Sequence, residues 1–169
     1  MPDTLTALDA FNARPPDEAE RDLVACCACR AFAAKVAGLR PYRGLGELLA
    51  AADAAVRELE WSGVLEALSA HPRIGERAAG SGTEATWSRQ EQSGAGDAPR
   101  AALAGGNRAY EQRFGHVYLV CATGLSGAEL LAKLTSRLRN DEETERDIVR
   151  AELAAITRVR LRKLMGEDR

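Results

Sequence analysis

Two histidines occur among the 169 residues, and the first stands where it could work. His71 ends an apolar helical pattern carried by Leu65 and Leu68, and Pro72, Arg73, Ile74, Gly75 and Glu76 follow it. Proline disfavours helical geometry in the residue before it, so the helix should stop near Ala70, leaving the imidazole at its end. Imidazole changes protonation near neutral pH, so a histidine on a rigid edge can give or take a proton. A capping or packing histidine would sit in the same way, and His71 alone does not separate the two.

Two further residues invite the same question. Trp87, Glu91 and Gly94 share a helical face at steps of four and three, with Ser88 bordering it. A carboxylate beside an indole and short polar groups can accept hydrogen bonds or carry a proton. Equally, Glu91 is one charge in the polar run Arg89, Gln90, Glu91, Gln92. On the last helix, Val149, Leu153, Ile156 and Leu164 form one stripe, and Arg160 occupies the step between the last two. Arg158 and Arg162 lie about 200° away around the helix. A cation on a core-facing stripe needs a partner or an anion, because an unpaired buried charge is costly. A rim arginine or a structural ion pair would also satisfy the pattern. For His116, before the apolar run 117–122, packing is the better reading.

Several chemistries lack their signatures. No P-loop, GxGxxG with a following acid, HExxH or GxSxG is present. Four cysteines occur, at 26, 27, 29 and 121. Cys26 and Cys29 have CxxC spacing, but no second pair exists and both histidines are distant, so no metal is expected. They read as small apolar residues in a helix. A redox pair would want a strand-to-helix context.

The elements that must position these groups are helical. Residues 4–10 suit a short helix ended by Asn12 and Pro15-Pro16. Asp17 looks like an N-cap, followed by one helix with Ala25, Cys29, Phe32, Val36 and Leu39 on a face. Leu45, Leu48, Ala52, Val56 and Leu59 give another, and a shorter piece leads to His71. The Gly-, Ser- and Ala-rich residues 75–83 read as a loop, with helix expected over 84–93 and again from Asp97-Pro99 to Phe114, weakened by Gly105-Gly106. Residues 117–122 form one apolar run, a lone strand or an extended connector. Ser126 to Glu129 matches a capping box opening a helix through Leu138, and Asp141 caps the last helix, to about Met165. The fold expected is all-α: residues 1–169 as a single-domain bundle of six to eight helices.

Composition agrees with a globular chain, at 46% hydrophobic and 28% charged residues. A net charge of −2 lacks the basic bias of nucleic-acid binders. No apolar run approaches spanning length, and residues 1–14 lack a signal-peptide layout, so the expectation is a cytoplasmic protein without membrane or nucleic-acid partners.

Three blocks in this order and spacing resemble the 2-oxo-4-hydroxy-4-carboxy-5-ureidoimidazoline (OHCU) decarboxylase family. They are His71 to Glu76; Trp87 to Gln92 with Ala95-Gly96; and Phe114-Gly115, Tyr118 to Ala122, Asn140-Asp141, Glu145, Ile156 and Val159 to Leu161. The resemblance covers nearly the whole chain. It implies an all-α, cofactor-free lyase, usually homodimeric, that decarboxylates OHCU to (S)-allantoin downstream of urate oxidase and hydroxyisourate hydrolase. It implies His71, Glu91 and Arg160 as catalytic residues. Pro72, Ser88, Arg89, Gln90, Gln92, Tyr118, Leu119, Val120, Cys121 and Ala122 fall on its substrate-lining segments. Two positions depart from the common pattern: Arg73 stands where many members have an acid, and Thr123 where many have arginine. They leave room for two other readings, a helical interaction module without activity and an acid–base enzyme for a related ureido-heterocycle.

Overall fold

The computed structural model describes residues 5–75, 87, 90–91 and 100–167. Eight helices are delimited among them: α1 Ala7–Ala13, α2 Pro16–Cys26, α3 Arg30–Gly38, α4 Leu45–Arg57, α5 Trp61–Leu68, α6 Arg100–Phe114, α7 Gly127–Arg137 and α8 Glu142–Leu164. Trp87, Gln90 and Glu91 are helical too, and no described residue is in a strand. The chain divides into two compact units, Met1–Glu66 with Ala154–Arg169, and Ala67–Leu153.

In the first unit, α2 packs on α3 and α3 on α4. Ala19, Leu23 and Cys26 form the buried face of α2, and Phe32, Ala33, Val36 and Ala37 that of α3. Leucine and phenylalanine burial contributes about 1.5–3 kcal/mol per side chain, which these short helices need. One helix was expected from Asp17 onward, and the structure corrects this. The Cys27 N–H closes α2 on the Leu23 carbonyl at 2.9 Å, and the Cys29 N–H reaches back only to Cys27 at 2.7 Å. Cys27 and Cys29 are extended, and α3 starts afresh at Arg30. Asp17 lies inside the first turn of α2, after Pro16. Asn12 does not end α1; it lies within the helix, and its side-chain amide pairs with both backbone groups of Tyr42, at 2.8 and 2.9 Å. Thr6 caps α1, through a capping box with Asp9.

The second unit is built around Ile74, Leu103, Tyr110, Tyr118, Val120, Ala122, Leu130 and Leu134. There α6 packs on α7. Gly106 is what lets them approach, since a Cβ on it would stand 2.4 Å from Leu134 Cδ2. The Ser126–Glu129 capping box opens α7 as expected, and Asp141 Oδ1 accepts the Thr144 N–H at 2.7 Å to open α8. Residues 117–122 are an extended connector, not a strand.

Candidate active site

His71 follows the last turn of α5, its N–H bonded to the Leu68 carbonyl at 3.0 Å, and is half-buried together with Pro72. The segment after it is fastened to α6 in two places. Asn107, fully buried, donates its Nδ2 to the Ile74 carbonyl at 2.7 Å. Arg73 meets Glu111 with two bonds, Nε to Oε1 at 2.7 Å and Nη2 to Oε2 at 3.3 Å. Such planar, two-point pairing fixes orientation as well as position. Arg73, the departure from the family pattern, thus holds the chain downstream of His71. Gly75 turns with φ +93°, which a side chain would resist.

The connector 118–122 is the second segment the sequence singled out. Tyr118, Val120 and Ala122 belong to the core, and Leu119 is buried as well. Cys121 is half-buried. A connector outside helices and strands must find partners for its backbone polar groups elsewhere. Arg137 Nη1 donates to the Leu119 carbonyl at 2.5 Å, and Glu152 Oε2 accepts the Cys121 N–H at 2.8 Å.

Arg137 is itself buried, and Glu145 answers it: Nε lies 2.7 Å and Nη2 2.5 Å from Glu145 Oε1. Tyr110 donates its hydroxyl to the same oxygen at 2.5 Å, and Asn140 donates to Oε2 at 3.1 Å. The guanidinium lies over the rings of Tyr110 and Tyr118, 5.8 and 4.8 Å from their centroids. Burial works against the cation, but the Glu145 carboxylate outweighs it and holds Arg137 above the ordinary arginine range. Burial, reinforced by Glu145, pushes the Tyr110 hydroxyl up, and burial pushes Tyr118 up to about 12. His116 packs edge-on to Tyr110 at 5.5 Å, in keeping with a packing role.

Burial first, then Glu152 and Glu91, push the Cys121 thiol up. Trp87 and Glu91 are each helical and half-buried, and Gln90 is exposed. Ser88, Arg89 and Gln92 lie outside the described residues. Arg160 belongs to the first unit and is 1% exposed, on a stripe with Leu153 and Ile156, while Arg158 is exposed. Cys26 and Cys27 lie within reach of its charge.

Those cysteines are packing residues, and the redox alternative fails on them. Cys26, Cys27 and Cys29 have no exposed surface. Burial raises all three thiols, Cys27 to about 12, which disfavours the thiolate that exchange chemistry requires. Among the described residues, no three His, Cys, Asp or Glu gather closely enough to hold a metal ion. No helix among them is long and apolar enough to cross a membrane.

Four residues of this arrangement carried no functional expectation from the sequence: Asn107, Glu111, Arg137 and Glu152. Arg137 had a legible signal, since it follows Leu130 and Leu134 at steps of four and three, a charge on an apolar stripe. The other three bind backbone or a neighbouring loop, for which helical spacing gives no sign.

A histidine after a short helix, a half-buried carboxylate and a pinned apolar connector thus fall within one unit of an all-α chain, a candidate acid–base site in outline. Comparison with known proteins makes the assignment definite. The model of the OHCU decarboxylase family matches residues 12–162. An OHCU decarboxylase of Amia calva is 30% identical over 81% of this chain and 81% of its own, and that of Mus musculus 32% over 82% and 80%. The uric acid degradation bifunctional protein TTL of Arabidopsis thaliana is 32% identical over 84% of this chain, which spans 46% of that longer protein. The crystal structure of an OHCU decarboxylase in the presence of (S)-allantoin superposes with TM-score 0.74 at 26% identity, covering 86% of this chain and 97% of that one. The structure of (S)-allantoin synthase shares the fold, with TM-score 0.71 at 18% identity, over 96% of this chain and 54% of that one. The chain belongs to the OHCU decarboxylase family.

Proposed function

We propose that the chain is a cofactor-independent carboxy-lyase that converts OHCU to (S)-allantoin in urate breakdown. The match of the family model to residues 12–162 carries the reading. The chemistry suits the residue types. Breaking the bond between the ring carbon and its carboxylate releases carbon dioxide and leaves an electron pair conjugated with the ring's carbon–nitrogen double bond. The substrate is its own electron sink. A proton must then reach the neighbouring ring carbon from one face, and that choice sets the product's handedness.

In this reading His71 delivers the proton, Glu91 holds ureido or ring N–H groups and orients His71, and Arg160 grips an oxygen of the substrate with its planar fork. Pro72, Ser88 to Gln92 and Tyr118 to Ala122 line the substrate. The Cys121 N–H is already committed to Glu152, so any substrate oxygen held by this connector uses the other amides. The protein works as one catalytic domain, in the cytoplasm, as a homodimer, on OHCU supplied by urate oxidase and hydroxyisourate hydrolase.

The test is a circular dichroism time course on OHCU made in the cuvette by those two enzymes. Rapid growth of the (S)-allantoin signal is expected from the wild type. His71→Ala should lose about 10²–10⁴-fold in rate, the usual range for a positioned proton donor. Arg160→Lys should be strongly impaired and Arg158→Lys nearly silent. Wild-type turnover in His71→Ala would remove that residue from the mechanism, and a wild-type trace no faster than spontaneous decay would remove the activity.

A further inference from the structure

Glu152 is placed to do more than pair with a cation. Its side chain is only 18% exposed, and its Lys133 partner is 3.9 Å away, too far for a hydrogen bond. Its close contact is a backbone one, Oε2 to the Cys121 N–H at 2.8 Å. No described residue is in a strand, so none of them accepts that amide in a ladder. On one side of Cys121 the Leu119 carbonyl is taken by Arg137, and on the other the Ala122 carbonyl accepts the Leu125 N–H at 3.0 Å. The path of the connector is thus fixed at three successive points. The Glu152 contact lies at a residue that also feels Glu91.

We propose that Glu152 is a positioning residue of the active site, which acts through the Cys121 amide to set where the connector presents its groups to substrate. The proposal rests on the decarboxylase reading above. Displacements of about an ångström at substrate-orienting groups can cost up to about 10²-fold in rate. Glu152 should therefore govern turnover and handedness without governing affinity.

Two substitutions separate position from charge. Glu152→Asp keeps the charge and withdraws the acceptor; Glu152→Gln keeps an acceptor oxygen and removes the charge. Glu152→Asp should lose about tenfold or more in kcat with KM within about threefold, and should form a less enantiopure product. Glu152→Gln should stay within about threefold of wild type in each respect. The reverse order, equal losses in both, or two variants indistinguishable from wild type would each overturn the proposal. Exchange of the Cys121 amide proton, followed by nuclear magnetic resonance, is the second readout. It should be slow in wild type and Glu152→Gln and fast in Glu152→Asp. A wild type that forms no (S)-allantoin overturns the decarboxylase reading. Fast Cys121 exchange in all three proteins marks instead a failure of the Glu152 contact.

Discussion

At the residue scale, the costliest arrangement in the second unit is the buried Arg137–Glu145 pair. Taking two charges out of water is unfavourable, and the pair is tolerable only because nearly every polar atom is answered: Tyr110, Asn140 and the Leu119 carbonyl complete it. Breaking it from one side should therefore be severe. Glu145→Ala should lower unfolding stability by about 3–5 kcal/mol in urea denaturation, because it strands a buried guanidinium. The double change Arg137→Met with Glu145→Leu should cost less than that single one; a larger loss would mean the pair contributes net stability of its own. How legible such residues are depends on what they bind. Arg160 and Arg137 are visible in the sequence because a charge interrupts an apolar stripe. Glu145 occupies the equivalent step four residues before Val149, so the buried stripe of α8 begins on a carboxylate and ends near a guanidinium. Glu152 stands beside that stripe and looks like any solvent-facing acid, since nothing in its spacing reveals that a distant amide requires it.

At the element scale, the two adjacent glycines of α6 make opposite demands. A Cβ on Gly105 would meet nothing nearer than Arg108 Nη2 at 4.0 Å, whereas one on Gly106 would collide with the buried Leu134. Gly105→Ala should raise stability by about 0.5–1 kcal/mol through helix propensity. Gly106→Ala should lower it by about 1–3 kcal/mol through overpacking, both read as shifts in denaturation midpoint at constant slope. Gains at both positions would show that α6 and α7 can separate freely. From the sequence both glycines look like the same helix weakness, because the distinction lies in a contact between helices. Caps are legible where a local rule suffices, as at Ser126 and Asp141. The break between α2 and α3 is not. Cys27, Ala28 and Cys29 contain no glycine, proline or asparagine, and the buried cysteines continue the apolar pattern across the gap.

At the scale of the whole molecule, all three tyrosines of the chain, at 42, 110 and 118, are buried. Each donates its hydroxyl inward: to the Val36 carbonyl at 2.6 Å, to Glu145, and to the Leu130 carbonyl at 3.3 Å. Burial raises all three, Tyr42 and Tyr118 to about 12. A raised folded-state pKa means that the stabilisation is fully present below the unfolded value near 10 and is lost as pH climbs through 12. The tyrosinate absorbance should therefore show no step at pH 10 while the protein is folded. It should then rise abruptly between about pH 10 and 12, together with the loss of helical dichroism. A separate step at pH 10 would place at least one ring in water. The other end of the chain offers a matching probe. Three of its four thiols, Cys26, Cys27 and Cys29, lie in one unit at the junction of two helices, with no surface open to reagent. They are a built-in clock: the rate at which a thiol-reactive dye acquires them measures how often that unit opens, with no label introduced and no residue changed.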